Sequence, residues 1–272
     1  MTRDKTHPLA GDPRARRGLT LLELVVVLAI LVAIGGILVP LLPNFVHRSN
    51  IASCVVNIPE IDKMVQTYHN LYAAYPDRMD NLVDPAGGNP LSYVALGSAE
   101  DYGVCYETHS LTPGEASALE EAGITTLVNL IEDPGTDGDW NPTFWPYSDD
   151  LSVQPTTTAV AQSVQVLALN DVGEELMGLP TGGTYAVFGL NVPCTMFRKL
   201  AAEPAYHYAD TPAEDPATYY MAFGVVFQVG NTDGALGEAV YRGCLAFHDF
   251  GPSTAGMHTK EWWGRMKDER QE

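Results

Sequence analysis

The stretch that decides the fold is residues 19–39, LTLLELVVVLAILVAIGGILV, a run of 21 residues whose only ionisable member is Glu23. A helix of this length, at about 1.5 Å rise per residue, matches the ~30 Å hydrocarbon core of a bilayer. The apolar run continues past Pro40 to Leu42. We therefore predict a single membrane-spanning helix over residues 19–42.

Charge divides the chain into two parts. Residues 1–18 hold five Lys or Arg and two Asp, a net charge of +3; the whole chain carries −19, so residues 19–272 carry −22. Nucleic acid is excluded as a partner, because phosphate binding needs clustered Lys and Arg. Basic residues lie directly before the apolar run and are scarce after it. The positive-inside rule therefore places the N-terminus in the cytoplasm and the acidic part outside.

Two kinds of cleaved signal peptide compete with a membrane anchor. A secretory signal has an apolar stretch of only ~7–15 residues before a small-residue site, whereas this run continues beyond its one such site, Ala33-Ile34-Gly35. Arg16-Arg17 could open a twin-arginine signal, yet Thr20 and Glu23 lie where such signals prefer apolar or basic residues. A plain signal anchor explains everything except the residues around Gly18.

Residues 16–23, RRGLTLLE, resemble the prepilin processing site of type IV pilins and type II secretion pseudopilins. In that family basic residues precede a Gly, cleavage follows it, and the mature chain begins apolar, then Thr, two apolar residues and Glu. The resemblance implies that residues 1–18 are a basic prepilin leader, and that a prepilin peptidase cleaves between Gly18 and Leu19 and methylates Leu19. The family most often has Phe at the position of Leu19. Pro40 falls where many pilin helices carry a kinking Pro.

The chemistry of Glu23 supports the same interpretation. A lone carboxylate in an apolar run costs ~2.5–3.5 kcal/mol at mid-membrane, so such a residue is usually kept for a partner. Cleavage after Gly18 would create a positive amino group at Leu19 in the same apolar layer. We therefore predict that Glu23, with Thr20 of the motif, serves assembly. The resemblance implies three partners: prepilin peptidase, other pilin or pseudopilin subunits, and an inner-membrane assembly platform.

Residues 43–75 are predicted to continue the helix outside the membrane. Pro59 removes one backbone donor and should kink or interrupt it. An apolar stripe at helical spacing predicts the face that packs on a sheet. This stripe comprises Ile61, Met64, Val65, Tyr68, Leu71 and Tyr72.

Residues 76–272 are predicted to form an α+β head, in which the long N-terminal helix packs on a mainly antiparallel β-sheet, as in pilins. Thr112 as N-cap, Pro113 in the first turn and Glu115 mark a second helix, which ends at Gly123. An inserted subdomain is expected around residues 100–160. Strands are predicted at residues 124–131, 163–169, 185–190, 219–229 and 239–248.

Four cysteines lie in the part predicted to be outside: Cys54, Cys105, Cys194 and Cys244. An oxidising compartment permits two disulfides, with three possible connectivities. Buried free thiols are the alternative. Because Cys194 and Cys244 both flank predicted strands, they are the preferred disulfide pair.

Two acidic loops offer oxygen ligands that suit calcium. Asp137 and Asp139 begin like a calcium loop, but Pro142 stands where the turn needs Gly and Ser148 where a bidentate Glu is required. The turn around Asp233 has similar chemistry. Asp, Asn and Gly are also simply turn residues, so no metal and no other cofactor is predicted.

The sequence lacks the motifs of common enzyme classes, including H-E-x-x-H, G-x-S-x-G and the phosphate-binding loop, so no enzyme is predicted. The expected function is that of a structural subunit of a type II secretion-like pseudopilus or a type IV pilus. Such a subunit spans the inner membrane once, with a periplasmic or extracellular head, before it enters a filament. The alternative is a membrane-anchored extracytoplasmic binding protein whose head recognises a ligand and never polymerises.

Overall fold

The structure is a computed structural model, and it divides into two compact units, the first ending at Phe45 and the second beginning at Val46. The residues that it describes are 21–38, 42–84, 88–91, 105–130, 156–200, 204 and 222–247.

The first unit is dominated by helix α1, Leu21–Leu38. Its sequence is apolar on every side apart from Glu23, and its described side chains are all exposed. The 18 residues make a helix of about 27 Å. The membrane span predicted for residues 19–42 is not confirmed among the described residues, where no helix is both long enough and apolar enough to cross a bilayer.

Helix α2, Leu42–Tyr72, passes through Pro59 without a break. Of the two predicted effects of Pro59, an interruption is therefore wrong, and a kink stays a prediction. Ile58 and Ile61, on either side of this proline, are both buried against the sheet. Burial of these side chains stabilises the helix on both sides of the missing backbone donor, because each contributes ~1.5–3 kcal/mol.

The apolar stripe of α2 is confirmed in its middle and wrong at its end. Ile61, Val65 and Tyr68 are buried in the core. Leu71 and Tyr72, predicted to join them, are 64% and 45% exposed. The reason is that the helix ends at Tyr72, and the next residue, Ala73, turns the chain with a φ of 50°.

Within the described residues eight strands form one sheet, which confirms the mainly antiparallel α+β fold. The strands are β1 Met79–Asn81, β2 Tyr106–Ser110, β3 Thr126–Asn129, β4 Thr156–Ala159, β5 Gln165–Leu169, β6 Thr184–Leu190, β7 Phe223–Asn231 and β8 Gly234–Ala246. Their order is β2-β5-β6-β1-β3-β4, with β7 paired to both β6 and β8. The β1–β3 pair is parallel and the other pairs are antiparallel.

Three further helices belong to the second unit: α3 Pro113–Glu121, α4 Asp171–Met177 and α5 Thr195–Lys199. The predicted start of α3 is confirmed. Thr112 is its N-cap, and Thr112 and Glu115 form a complete capping box in which each side chain bonds the backbone of the other. Helices α4 and α5 were not predicted.

The sheet has an apolar core on each face, because successive strand residues point to opposite sides. On one face, Ala186 and Phe188 of β6 join the cluster that contains α2, α3 and α5. On the other face, Tyr185 and Val187 join a second cluster, against which Leu176 of α4 packs. Helices α2 and α4 therefore lie on opposite faces of the sheet.

The sequence located β3, β5, β6, β7 and β8 but missed β1, β2 and β4. The inserted subdomain predicted around residues 100–160 is wrong for the described residues, because β2, β3 and β4 are strands of the common sheet. Helix α3 also contacts the β7–β8 hairpin, where a Cβ on Gly114 would come within 2.6 Å of the Cβ of Ala235.

Candidate functional site

The first candidate site is the N-terminal turn of α1. Glu23 is the acidic residue of this turn and is exposed. The unpaired backbone N–H groups at a helix N-terminus favour a negative charge there. Leu21 and Leu22 beside it are 81% and 73% exposed. The turn therefore combines a carboxylate with a large apolar surface that is not covered in the single chain.

Several predicted site residues lie outside the described residues. These are the processing residues Gly18 and Leu19, the assembly residue Thr20, the helix-kink residue Pro40, and the calcium candidates Asp137 and Asp139. Their predicted roles remain predictions.

The third calcium candidate, Asp233, lies in the turn between β7 and β8. Its backbone N–H donates to Oδ1 of Asn231 at 2.9 Å, and Gly234 follows with a φ of 125°. The Asn231 side chain therefore stabilises this turn, which connects β7 and β8 in a hairpin. Among the described residues, no group of three or more His, Cys, Asp or Glu side chains could hold a metal ion.

The predicted disulfide between Cys194 and Cys244 is not formed in the structure, where both are buried free thiols. Cys194 precedes α5, and Cys244 lies in β8 within the same apolar cluster. Burial raises the pKa of the Cys194 thiol to about 12 and that of Cys244 well above its ordinary value. Both groups are therefore neutral thiols in this structure, and their pairing as a disulfide stays a prediction.

The exit from α2 is fixed to the head by Asp77. Its carboxylate accepts hydrogen bonds from the backbone N–H groups of Thr125 and Thr126, at 2.9 and 2.8 Å. Its own backbone N–H donates to Oγ1 of Thr195 at 2.9 Å, and Thr195 N–H returns a bond to the Asp77 carbonyl. One residue thus joins the end of α2 to the starts of β3 and α5.

A second polar contact joins the middle of α2 to the sheet. The hydroxyl of Tyr241 in β8 donates to Oδ1 of Asp62 at 2.5 Å. Burial, followed by the negative charges of its neighbours, raises the pKa of Tyr241 well above its ordinary value. The tyrosine therefore remains a hydrogen-bond donor at physiological pH and fixes the rotation of α2 over the sheet.

Between the end of α2 and α5 lies a cation held by aromatic rings. We name this group the Lys199 platform; it consists of Tyr68, Tyr72, Thr195 and Lys199. The Lys199 ammonium donates to the Tyr68 hydroxyl at 3.0 Å and lies 4.2 Å from the centroid of the Tyr72 ring. Tyr68 is placed by a 3.1 Å contact between its hydroxyl and Oγ1 of Thr195. The hydrogen bond with Tyr68 raises the pKa of Lys199, which is exposed.

On the opposite face lies a cleft of about 430 Å³, lined by Glu107, Asp171 and Glu174 and by the backbone of Gly182 and Gly183. Its three carboxylates come from β2 and α4. Glu174 lies at the base, 3% exposed, and accepts a bond from Gly182 N–H at 3.2 Å. Burial, and then repulsion from Asp171 and Glu107, raises the pKa of Glu174. We call this site the acidic cleft.

The structure thus has an α+β head and an apolar, exposed N-terminal helix with a carboxylate in its first turn. Residues 13–39 match the family model described as "Prokaryotic N-terminal methylation motif", the prepilin-type cleavage and methylation signal of type IV pilins and pseudopilins. This confirms the signal inferred from residues 16–23. No curated protein and no solved structure matches the chain.

The methylation motif has two consequences for the chain. It is the cleavage and methylation signal found in type IV pilins and pseudopilins, which are typically structural proteins. It implies processing by a prepilin peptidase. It also implies assembly with other pilin subunits.

Proposed function

We propose that this protein is a structural subunit of a type II secretion-like pseudopilus or a type IV pilus. In this proposal prepilin peptidase cleaves after Gly18 and methylates the new amino group of Leu19. The apolar N-terminal segment holds the subunit in the inner membrane, with the N-terminus cytoplasmic and the head periplasmic or extracellular. An inner-membrane assembly platform then transfers the subunit into a filament.

The observation that carries the proposal is the methylation motif at residues 13–39. Helix α1 supports it, because an apolar helix with exposed side chains is stable only against lipid or against other apolar helices. A membrane satisfies this need before assembly, and a bundle of N-terminal helices satisfies it in a filament. In both settings the acidic heads remain in water.

The test is mass spectrometry of the N-terminus of the protein produced in cells that contain a prepilin peptidase. We expect the mature chain to begin at Leu19 with one added methyl group on its amine. The matched control is Gly18→Val, which leaves the apolar segment intact and should accumulate as the uncleaved precursor in the membrane. Recovery of membrane-resident wild-type protein that still begins at Met1 would contradict the proposal.

The acidic cleft favours a second candidate, a membrane-anchored binding protein whose head recognises a cationic ligand without polymerising. Both candidates predict a membrane-bound chain, so the filament itself distinguishes them. Electron microscopy and immunolabelling of sheared surface material should show filaments that contain this protein if it is a pilus or pseudopilus subunit. A processed protein that stays monomeric in the membrane under assembly conditions would favour the binding protein.

A further inference from the structure

We propose that the Lys199 platform of one copy of this chain docks on the acidic cleft of a second copy. This inference rests on the proposed function, because it specifies how the heads of neighbouring filament subunits contact each other. It concerns a head-to-head contact of the second unit and requires no assumption about the N-terminal helices.

The first argument is the scarcity of available cations on a very acidic chain. The chain has 15 Lys and Arg against 34 Asp and Glu. In the described part of the head, Lys63 pairs with Glu60 at 2.7 Å. Lys199 instead contacts two neutral tyrosines and is exposed beside Arg198. Its charge is therefore available to a carboxylate of another molecule.

The second argument is that the platform is fixed before binding. The Lys199 ammonium is held by the Tyr68 hydroxyl and lies 5.1 and 4.2 Å from the two tyrosine ring centroids. A free lysine loses rotamer entropy when it binds, and this loss costs binding free energy. Much of that cost is already met in the free head. The platform therefore suits recognition better than a mobile surface lysine does.

The third argument is the charge of the acidic cleft. Glu107 and Asp171 are exposed, and their charges add to the repulsion on the buried Glu174 carboxylate. A cation that enters the cleft would relieve this repulsion, so the site favours an ammonium or guanidinium group. The cleft volume of about 430 Å³ leaves room for an ammonium group. Charge complementarity between the two sites is thus local and not only a matter of net charge.

The fourth argument is position. Tyr68 and α5 belong to the core on one face of the sheet, and Leu169 of the cleft belongs to the core on the other face. Two complementary sites on opposite faces cannot satisfy each other within one pair of molecules related by a two-fold axis. Such a contact is heterologous and adds copies in one direction, which forms an open filament unless the rotation closes it into a ring. A second copy of the chain is the occupant that we propose, because it carries the complementary charge and this arrangement allows it to bind.

Charge reversal in the full-length, processed chain tests the contact. We expect Lys199→Glu to lower the yield of sheared filaments by roughly tenfold or more, because it places like charges together. Glu107→Lys should lower it similarly. The double variant Lys199→Glu with Glu107→Lys should recover most of the wild-type yield, since the pair is restored with opposite orientation. Lys63→Glu, on the exposed side of α2, is the matched control and should assemble normally.

Site-directed cross-linking provides a measurement that does not depend on yield. Copies that carry Lys199→Cys and copies that carry Glu107→Cys should form a mixed disulfide dimer when both are present in filaments, and neither should do so alone. Wild-type yield for Lys199→Glu, or filaments without the mixed dimer, would overturn the docking contact while leaving the proposed function intact. Absence of wild-type filaments under assembly conditions would instead overturn the proposed function, and the contact with it.

Discussion

At the scale of single residues, the stability of the head depends on carboxylates that serve as hydrogen-bond acceptors. Glu115 is the clearest example, because its Oε2 atom lies 2.8 Å from His109 Nε2 and from Thr112 N and 2.9 Å from the Thr112 hydroxyl. Burial alone would raise the pKa of Glu115, but these bonds outweigh it and hold the pKa below the ordinary value of 4.5. The ionised form is therefore the one that stabilises the fold.

Glu115→Gln should lower the free energy of unfolding by about 1–3 kcal/mol at neutral pH, because the bonds lose their charge assistance. The native pKa of Glu115 lies below its unfolded value, so its contribution is present above about pH 4.5 and is lost as the pH falls through the native pKa. The difference between wild type and variant in urea unfolding should shrink over that acidic range. The exposed Glu121→Gln in the same helix should show no such loss, and a pH-independent difference would refute the role of Glu115.

The sequence predicted only the part of this network that is local in the chain. The spacing of Thr112 and Glu115 identifies the capping box, since both residues are within one helical turn. His109 belongs to β2, and nothing in its sequence context indicates that it meets Glu115. Asp77 and Lys199 were missed for a different reason. Their partners lie far away in sequence, at Thr125 and Tyr68.

At the scale of elements, the sequence predicted those with strong local signals. Helix α3 has a capping box, a proline at its start and a glycine after its end, and its bounds were predicted closely. The buried strands β6 and β7 are mostly apolar runs. By contrast, β1 has three residues, and β4 is Thr156–Ala159 with mostly exposed side chains. Whether these segments form strands depends on the neighbouring strands that they pair with, and local sequence patterns carry no information about those neighbours.

Two glycines that follow helix ends allow the energetic cost of backbone strain to be measured separately from the cost of steric overlap. Gly123 has a φ of 89°, and a Cβ there would come within 2.6 Å of the Ala74 Cβ. Gly178 has a φ of 65° with no atom within 4 Å of such a Cβ. We expect Gly178→Ala to cost about 1–2 kcal/mol from backbone strain, and Gly123→Ala about 2–4 kcal/mol from strain plus overlap.

Urea unfolding at neutral pH measures both glycine variants, with an unchanged m-value as the criterion that only the native state was affected. The larger loss at Gly123 follows from its position between the end of α3 and the chain that leaves α2, where Tyr75 N–H donates to the Ala122 carbonyl at 2.8 Å. Equal losses at Gly123 and Gly178 would mean that α2 and α3 are not held in close contact at this point.

At the scale of the whole molecule, the sequence predicted which segment carries the prepilin signal, but it did not predict the sites on the surface of the head. The charge difference between residues 1–18 and 19–272 and the motif at residues 16–23 identified the prepilin signal, because both are local in sequence. The Lys199 platform and the acidic cleft could not be predicted. Each one unites residues from at least two elements, so the sheet topology had to be known first.

Glu23 provides the final prediction, which concerns assembly of the whole molecule. Its carboxylate lies in the first turn of α1, where the helix dipole favours an anion. In a filament the methylated amine of a neighbouring Leu19 could lie beside it in an apolar, weakly screened layer, where an uncompensated charge is costly. Glu23→Leu should therefore enter the membrane at least as well as wild type and be cleaved after Gly18, yet fail to enter filaments.

Three measurements on the same cells separate these steps for Glu23→Leu: the membrane fraction reports insertion, the mature N-terminus reports cleavage, and sheared material reports assembly. Val27→Leu is the matched control, because it changes an exposed apolar residue of α1 without altering charge, and it should pass all three. Loss of cleavage in Glu23→Leu would place its role in peptidase recognition. If Glu23→Leu instead assembles at wild-type yield, pairing with a neighbouring amine does not set the register of the filament, and the membrane-anchored binding protein becomes the better hypothesis.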